Sequence, residues 1–127
     1  MQREIKFRGY FDGIMYYPEL SHNYANAIFS CSKLVAVNTQ EKARMAIMQF
    51  TGLKDKNGKE VYEGDIVSYY QPFAKRTDTH IVKWDDRWAC FGLFENGNEW
   101  CKENDWMKIK DIEVIGNIYE NPELLKP

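Results

Sequence analysis

Short apolar runs with a period of two, separated by glycine-containing turns, constrain this chain more than any other feature. Residues 4–9 read EIKFRG, so charged side chains alternate with apolar residues and a glycine. This alternation is typical of a β-strand with one apolar and one charged face. Further strands are predicted at 14–17, 45–50, 66–70, 80–84, 88–94 and 111–119. The pattern predicts a mainly β fold, a small antiparallel barrel or sandwich with SH3-like elements around 62–70.

The turns between these strands are marked by glycine. Asn57-Gly58 lies between two apolar runs and predicts a type I′ hairpin turn, in which both central residues take positive φ. Gly64-Asp65 predicts a tight corner before strand 66–70, with the Asp65 carboxylate accepting backbone amide hydrogen bonds. We therefore interpret Asn57, Gly58, Gly64 and Asp65 as a structural turn motif.

The remaining segments are less regular. Residues 27–37 fit either two short strands or one bulged strand, and residues 75–79 form a charged run that predicts a solvated loop. Residues 38–48 contain helix formers and predict one helical turn that leads into the strand at 45–50. We expect at most one or two short helical turns, in a single domain over 1–127.

Composition excludes several classes of protein. Nineteen acidic and seventeen basic residues give a net charge of −2, which provides no overall field to attract nucleic acid or anionic lipid. Cys31, Cys90 and Cys101 are odd in number and widely spaced, so neither a disulfide framework nor a zinc site is predicted. The chain shows no signal-peptide or membrane-spanning pattern, so we expect a cytoplasmic protein that does not bind membranes.

Groups that could carry catalysis are few. The only histidines, His22 and His80, could each approach Cys31 or Cys90, but no nucleophile-elbow motif surrounds any of them. The favoured interpretation is a half-buried histidine and reduced, half-buried thiols. The glycines are scattered among turns, and no acidic pattern matches a calcium loop. The sequence therefore predicts no catalytic residue, no metal site and no cofactor.

Two basic segments are interleaved with aromatic residues, as in small β-barrels that bind nucleic acid. The candidate contacts are Lys6, Arg8 and Tyr10 in the first segment and Lys75 and Arg76 in the second. A solvated charged strand face is the favoured alternative. Four tryptophans and eight tyrosines also predict exposed aromatic surface, for which a homo-oligomer is the simplest explanation.

Three blocks of the chain carry a family resemblance. They are REIKFR at 3–8, MQFTGLKDKNGKEVYEGDIV at 48–67 and IEVIGNIYENPELL at 112–125. In this order the blocks resemble the YopX family of phage and prophage proteins. The resemblance implies a mostly β fold and no established enzymatic activity, and it brings no catalytic residues to carry over. The intervening regions, 9–47 and 68–111, differ most among members, and we expect partner contacts there.

These observations predict a non-enzymatic phage or prophage accessory protein that binds an unidentified phage or host protein and self-associates. The alternative is a nucleic-acid-binding small β-barrel protein of phage origin. A small hydrolase, with His22 or His80 as its base, is the third hypothesis.

Overall fold

The computed structural model describes residues 5–11, 13–17, 46–97, 101–103 and 111–125. The chain divides into two compact units, Met1–Phe50 and Thr51–Pro127. The prediction that 1–127 is a single domain stays a prediction. In the described residues the strands are β1 (Phe7–Phe11), β2 (Ile14–Tyr16), β3 (Ala46–Lys54), β4 (Glu60–Tyr62), β5 (Asp65–Gln71), β6 (Arg76–Asp85), β7 (Cys90–Phe94), β8 (Cys101–Glu103) and β9 (Glu113–Asn117). A 3₁₀ helix, Pro122–Leu125, follows β9. The predicted mainly β, antiparallel fold is confirmed.

The first unit is built on β1. β1 pairs antiparallel with β2, where Phe11 lies opposite Ile14, and Gly13 between them has a φ of 80°. On its other side β1 pairs antiparallel with the start of β3, where Phe7 lies opposite Gln49. Residues 46–50 therefore lie in a strand, which confirms the predicted strand at 45–50 for them, while the predicted helical turn before it lies outside the described residues. Residues 18–45, which include the predicted strands at 27–37, lie outside the described residues.

The second unit contains the end of β3, the short strand β4, and a five-stranded antiparallel sheet in the order β8-β7-β6-β5-β9. The Thr51 hydroxyl donates a hydrogen bond of 2.7 Å to the Val61 carbonyl oxygen. A cluster of buried apolar side chains forms the core of this unit. Its members are Val61, Val67, Tyr69, Val82, Phe91, Leu93, Ile112 and Val114.

The β5–β6 hairpin is longer than the sequence predicted. β6 begins at Arg76, opposite Gln71, so residues 76–79 belong to a strand and the predicted loop over 75–79 is wrong for them, whereas Lys75 lies in the turn. Thr77 and Thr79 are β-branched and fit an extended backbone, while their exposed side chains give the polar pattern that resembled a loop.

Candidate binding surfaces

The loop from 55 to 59 is organised by one carboxylate. Asp55 Oδ1 accepts hydrogen bonds of 2.9 Å from the backbone N–H groups of Asn57 and Lys59. Gly58 takes a φ of 83°, but Asn57 is not among the described non-glycine residues with positive φ. The predicted type I′ turn is therefore wrong. Within this loop only Gly58 is left-handed, and the hydrogen bonds from Asn57 and Lys59 to the Asp55 side chain stabilise the turn around it.

The same carboxylate reaches β9. Asp55 Oδ2 accepts a hydrogen bond of 2.9 Å from the backbone N–H of Val114, which is 59 residues further along the chain. The neighbouring Lys56 N–H donates to the Ile112 carbonyl oxygen at 2.9 Å. We call Asp55, together with the backbone N–H groups of Asn57, Lys59 and Val114 that donate hydrogen bonds to it, the Asp55 bracket. This bracket connects the second and third sequence blocks.

Ionisation of Asp55 is favoured by the bracket. Burial raises the pKa of its carboxyl, which is only 8% exposed. Hydrogen bonds from the backbone of Val114, Lys59 and Asn57, and the positive charge of Lys59, lower the pKa by more. The net result is a pKa below the ordinary value of 3.8, so the bracket contains a carboxylate at neutral pH.

The Gly64-Asp65 corner is also structural. Gly64 has a φ of 88°, donates its N–H to the Val82 carbonyl oxygen at 2.8 Å and accepts from the Ile118 N–H at 3.0 Å. Asp65 is 1% exposed, and its Oδ2 accepts a 2.8 Å hydrogen bond from the Tyr62 N–H. The predicted bonding of Asp65 to a backbone amide is confirmed.

In the third sequence block, side-chain hydrogen bonds stabilise the turn that follows β9. Asn117 Oδ1 accepts from the backbone N–H groups of Tyr119 and Glu120, at 3.0 and 2.8 Å. Asn121 Oδ1 accepts from the Asn117 N–H at 3.2 Å. A Cβ on Gly116 would lie 2.6 Å from Asn121 Oδ1, so a side chain there would displace the asparagine. Hydrogen bonding within the turn after β9 is therefore sufficient to explain Asn117 and Asn121.

Of the four candidate catalytic groups, the structure describes His80 and Cys90. His80 is 3% exposed, and its ring stacks on that of Tyr69 at a centroid distance of 5.3 Å. Cys90 is a half-buried free thiol, whereas His22 and Cys31 lie outside the described residues. Among the residues that the structure describes, no group of three His, Cys, Asp or Glu side chains could hold a metal ion. The expectation of no catalytic, metal or cofactor site stays a prediction.

The first group of candidate nucleic-acid contacts is largely covered. Lys6 and Arg8 are 7% and 3% exposed, and Tyr10 is half-buried. Lys6 Nζ lies 4.7 Å from the centroid of the Phe50 ring, a cation–π contact, and Arg8 Nη1 donates to Tyr17 Oη at 3.4 Å. These basic side chains therefore present little charge to a ligand, and their role in binding stays a prediction.

The opposite face of the same strands is exposed and apolar. Ile5, Ile14 and Ile47 are 56%, 53% and 44% exposed. Side chains alternate between the two faces along each strand, and the register places these isoleucines on the face of the first unit opposite to Lys6 and Arg8. We call Ile5, Ile14 and Ile47 the isoleucine face. The alternation in the sequence predicted two unlike faces, but it did not show that the charged one would be buried.

The second group of candidate contacts lies at the end of the β5–β6 hairpin. We call residues 70–77 the β5–β6 tip. Phe73 at its apex is fully exposed, Tyr70 is 51% exposed and Lys75 is exposed. The Arg76 side chain is 68% exposed and its Nε lies 2.8 Å from Asp78 Oδ1. Lys75 and Arg76 therefore lie in the same hairpin end as the exposed ring of Phe73.

The far end of β6 carries a second exposed aromatic surface. Trp88, in the β6–β7 turn, is 64% exposed, and Trp84 is 42% exposed with its ring edge-on to Phe91 at 5.1 Å. The sequence predicted exposed aromatic surface from composition, and these side chains confirm it. Their positions were not predictable without the pairing of the strands.

Comparison with known proteins identifies relatives by sequence and by structure. The family model described as "YopX protein" matches residues 7–126. The crystal structure of protein EF1440 from Enterococcus faecalis is similar, with a TM-score of 0.56 and 26% sequence identity, over 98% of this chain and 100% of that chain. No curated protein matches. Among the described residues there is no helix with the length and apolar character needed to cross a membrane.

Proposed function

We propose that this chain, which belongs to the YopX family, is a non-enzymatic phage or prophage accessory protein that acts in the cytoplasm by binding proteins and by self-association. The observation that carries this proposal is the isoleucine face. Its three isoleucines are each about half exposed, while Lys6 and Arg8 on the opposite face are buried.

The isoleucine face supports a binding role because exposed apolar area is costly in water. Full burial of one isoleucine side chain is worth about 1.5–3 kcal/mol relative to exposure. Grouped apolar side chains on a protein surface commonly mark an interface. Phe7, Tyr16 and Gln49 lie on the same face of these strands and are also uncharged, so two copies can meet there without repulsion between like charges. Such a contact would be isologous, with the same face on both chains.

Light scattering coupled to size-exclusion chromatography tests self-association of the purified full chain across a dilution series. We expect an apparent mass above the 15.0 kDa of one chain, decreasing on dilution. The double variant Ile14→Thr/Ile47→Thr keeps β-branched residues in the strands and removes apolar surface, so we expect it to be monomeric. Ile115→Thr changes a similarly exposed isoleucine in β9 and is the matched control.

A strict monomer at every concentration would exclude self-association. Protein binding is tested separately, by immobilising the chain and recovering partners from its phage or host proteins, with the double variant in parallel. If no partner is retained and the chain is also monomeric, the proposed function is wrong.

The second candidate function is nucleic-acid binding, which the β5–β6 tip favours because Phe73 and Lys75 are exposed together. It predicts an affinity for DNA or RNA that weakens steeply as salt increases. Absence of binding at low salt would exclude it.

A further inference from the structure

We propose that the β5–β6 tip is a binding site for single-stranded nucleic acid, in which an unstacked base lies on the ring of Phe73 and backbone phosphates contact Lys75 and Arg76. This inference rests on the second candidate function and assigns to it a site and a class of ligand.

Phe73 is the centre of this site. It lies in the four-residue connection between Gln71 and Arg76, and its side chain is fully exposed. A ring in this position has a free face for stacking, and no protein contact has to be broken before a base binds. Stacking on an aromatic side chain accepts any base, since every base has a π-face.

The cations at the tip supply electrostatic complementarity to phosphate. Lys75 is exposed, and Arg76 is 68% exposed although it is paired with Asp78. An exposed ion pair contributes little, so a phosphate can compete for the guanidinium at small cost. The net charge of the chain, −2, gives no general attraction to nucleic acid, so binding would depend on these two local charges.

The register of the hairpin determines how a strand would bind. Tyr70 pairs with Thr77, and Arg76 pairs with Gln71, so Tyr70 and Arg76 lie on opposite faces of the two-stranded ribbon. Tyr70 is therefore not part of the proposed contact with Arg76. A flexible single strand can place an unpaired base on Phe73, whereas the bases of a duplex are stacked inside and cannot reach the ring.

A membrane surface fits the tip less well. On the face that carries Tyr70, the neighbouring residues are hydroxyl-bearing, namely Ser68, Thr77 and Thr79. Phe73 is thus the single large apolar side chain at the apex. Interfacial membrane binding increases with buried apolar area, and one ring provides little.

Fluorescence anisotropy with a labelled single-stranded oligothymidylate tests this proposal on the full chain. Two phosphate contacts predict a slope of log affinity against log salt of about −1.4, and Lys75→Ala should reduce its magnitude by about 0.7. Phe73→Ala should weaken binding by about 5- to 150-fold, the range expected for one stacked base. Trp88→Ala removes an exposed ring in the other hairpin turn and should leave the affinity unchanged. Circular dichroism checks that each variant folds.

Other probes distinguish the outcomes. If duplex DNA binds as tightly as the single strand, and Phe73→Ala has no effect on either, the site proposed at the tip is wrong while nucleic-acid binding stands. If neither nucleic acid binds at low salt, both are wrong. Binding to vesicles of phosphatidylcholine and phosphatidylserine, lost in Phe73→Ala and without binding to oligothymidylate, would assign the tip to lipid and overturn the proposal.

Discussion

Replacing Asp55 by asparagine tests whether the Asp55 bracket stabilises the second unit. The carboxylate accepts three backbone hydrogen bonds of 2.9 Å, two at Oδ1 and one, from Val114, at Oδ2. Asparagine has a single acceptor oxygen, so its NH₂ group must face an N–H donor on one side. Val114 is 8% exposed, and solvent cannot easily replace the lost acceptor.

The magnitude follows from these contacts. A hydrogen bond to a charged group contributes about 1.5–3 kcal/mol, and the bonds that remain become weaker without the charge. We expect Asp55→Asn to lower the free energy of unfolding by about 2–4 kcal/mol, a large part of the roughly 5–15 kcal/mol typical of a domain. Urea denaturation at neutral pH, followed by far-UV circular dichroism, measures this change.

The pH dependence gives an independent check. The pKa of Asp55 is lowered in the folded chain, so its contribution to stability is complete above the ordinary value of 3.8. It is lost as the pH falls through the lowered pKa of the folded state. The difference in stability between wild type and Asp55→Asn should therefore shrink when the solution is acidified below pH 3.8.

The control is Asp86→Asn, which changes an exposed aspartate in the β6–β7 turn and should alter stability by less than about 0.5 kcal/mol. If Asp55→Asn is as stable as this control at neutral pH, or if its deficit does not change on acidification, the bracket does not have the role described.

Three further substitutions test the turns and the surface of the second unit. Gly116→Ala should destabilise the chain by about 1–3 kcal/mol, because its Cβ would meet the Asn121 side chain. The loss should be smaller when Asn121→Ala is already present, and thermal denaturation of the single and double variants measures this difference. Gly58→Ala should cost about 1 kcal/mol and Gly58→Asn less, because asparagine tolerates positive φ; equal costs in urea denaturation would contradict this. Lys56→Ala should change the stability by less than about 0.5 kcal/mol, since its pair with Glu113 is about 40% exposed on both sides, and a larger loss in the same assay would show that the pair matters.

The sequence predicted the strands of this fold well because their signals are local. The Gly64-Asp65 turn and the strand after Asp65 follow from backbone preferences of two or three residues. The extent of β6 was missed, because the pairing of Arg76 with Gln71 determines it and the polar side chains there resemble a loop. The predicted type I′ turn at Asn57-Gly58 is wrong because the side chain of Asp55 selects another loop.

The candidate surfaces were less predictable than the fold. Lys6 and Arg8 were expected to face solvent, and the contact of Lys6 with Phe50 depends on the pairing of β1 with a strand about 40 residues later. Exposure of Phe73 at the end of a hairpin could not be predicted, because the sequence analysis underestimated the length of the β5–β6 hairpin. In contrast, Lys75 was correctly singled out as an exposed basic residue beside aromatic ones, since charge and hairpin position are both local properties.

The hydrogen bond from Val114 to Asp55 spans 59 residues, and this separation has a consequence for biosynthesis. At typical translation rates of roughly 5–20 residues per second, the aspartate is made about 3–12 s before its partner. During that interval β5 also lacks β9, its neighbour on one side, so a row of backbone donors and acceptors stays open to other nascent chains. During synthesis the chain therefore exposes one unpaired edge of β5, and pairing with β9 ends the period in which that edge can pair with another chain.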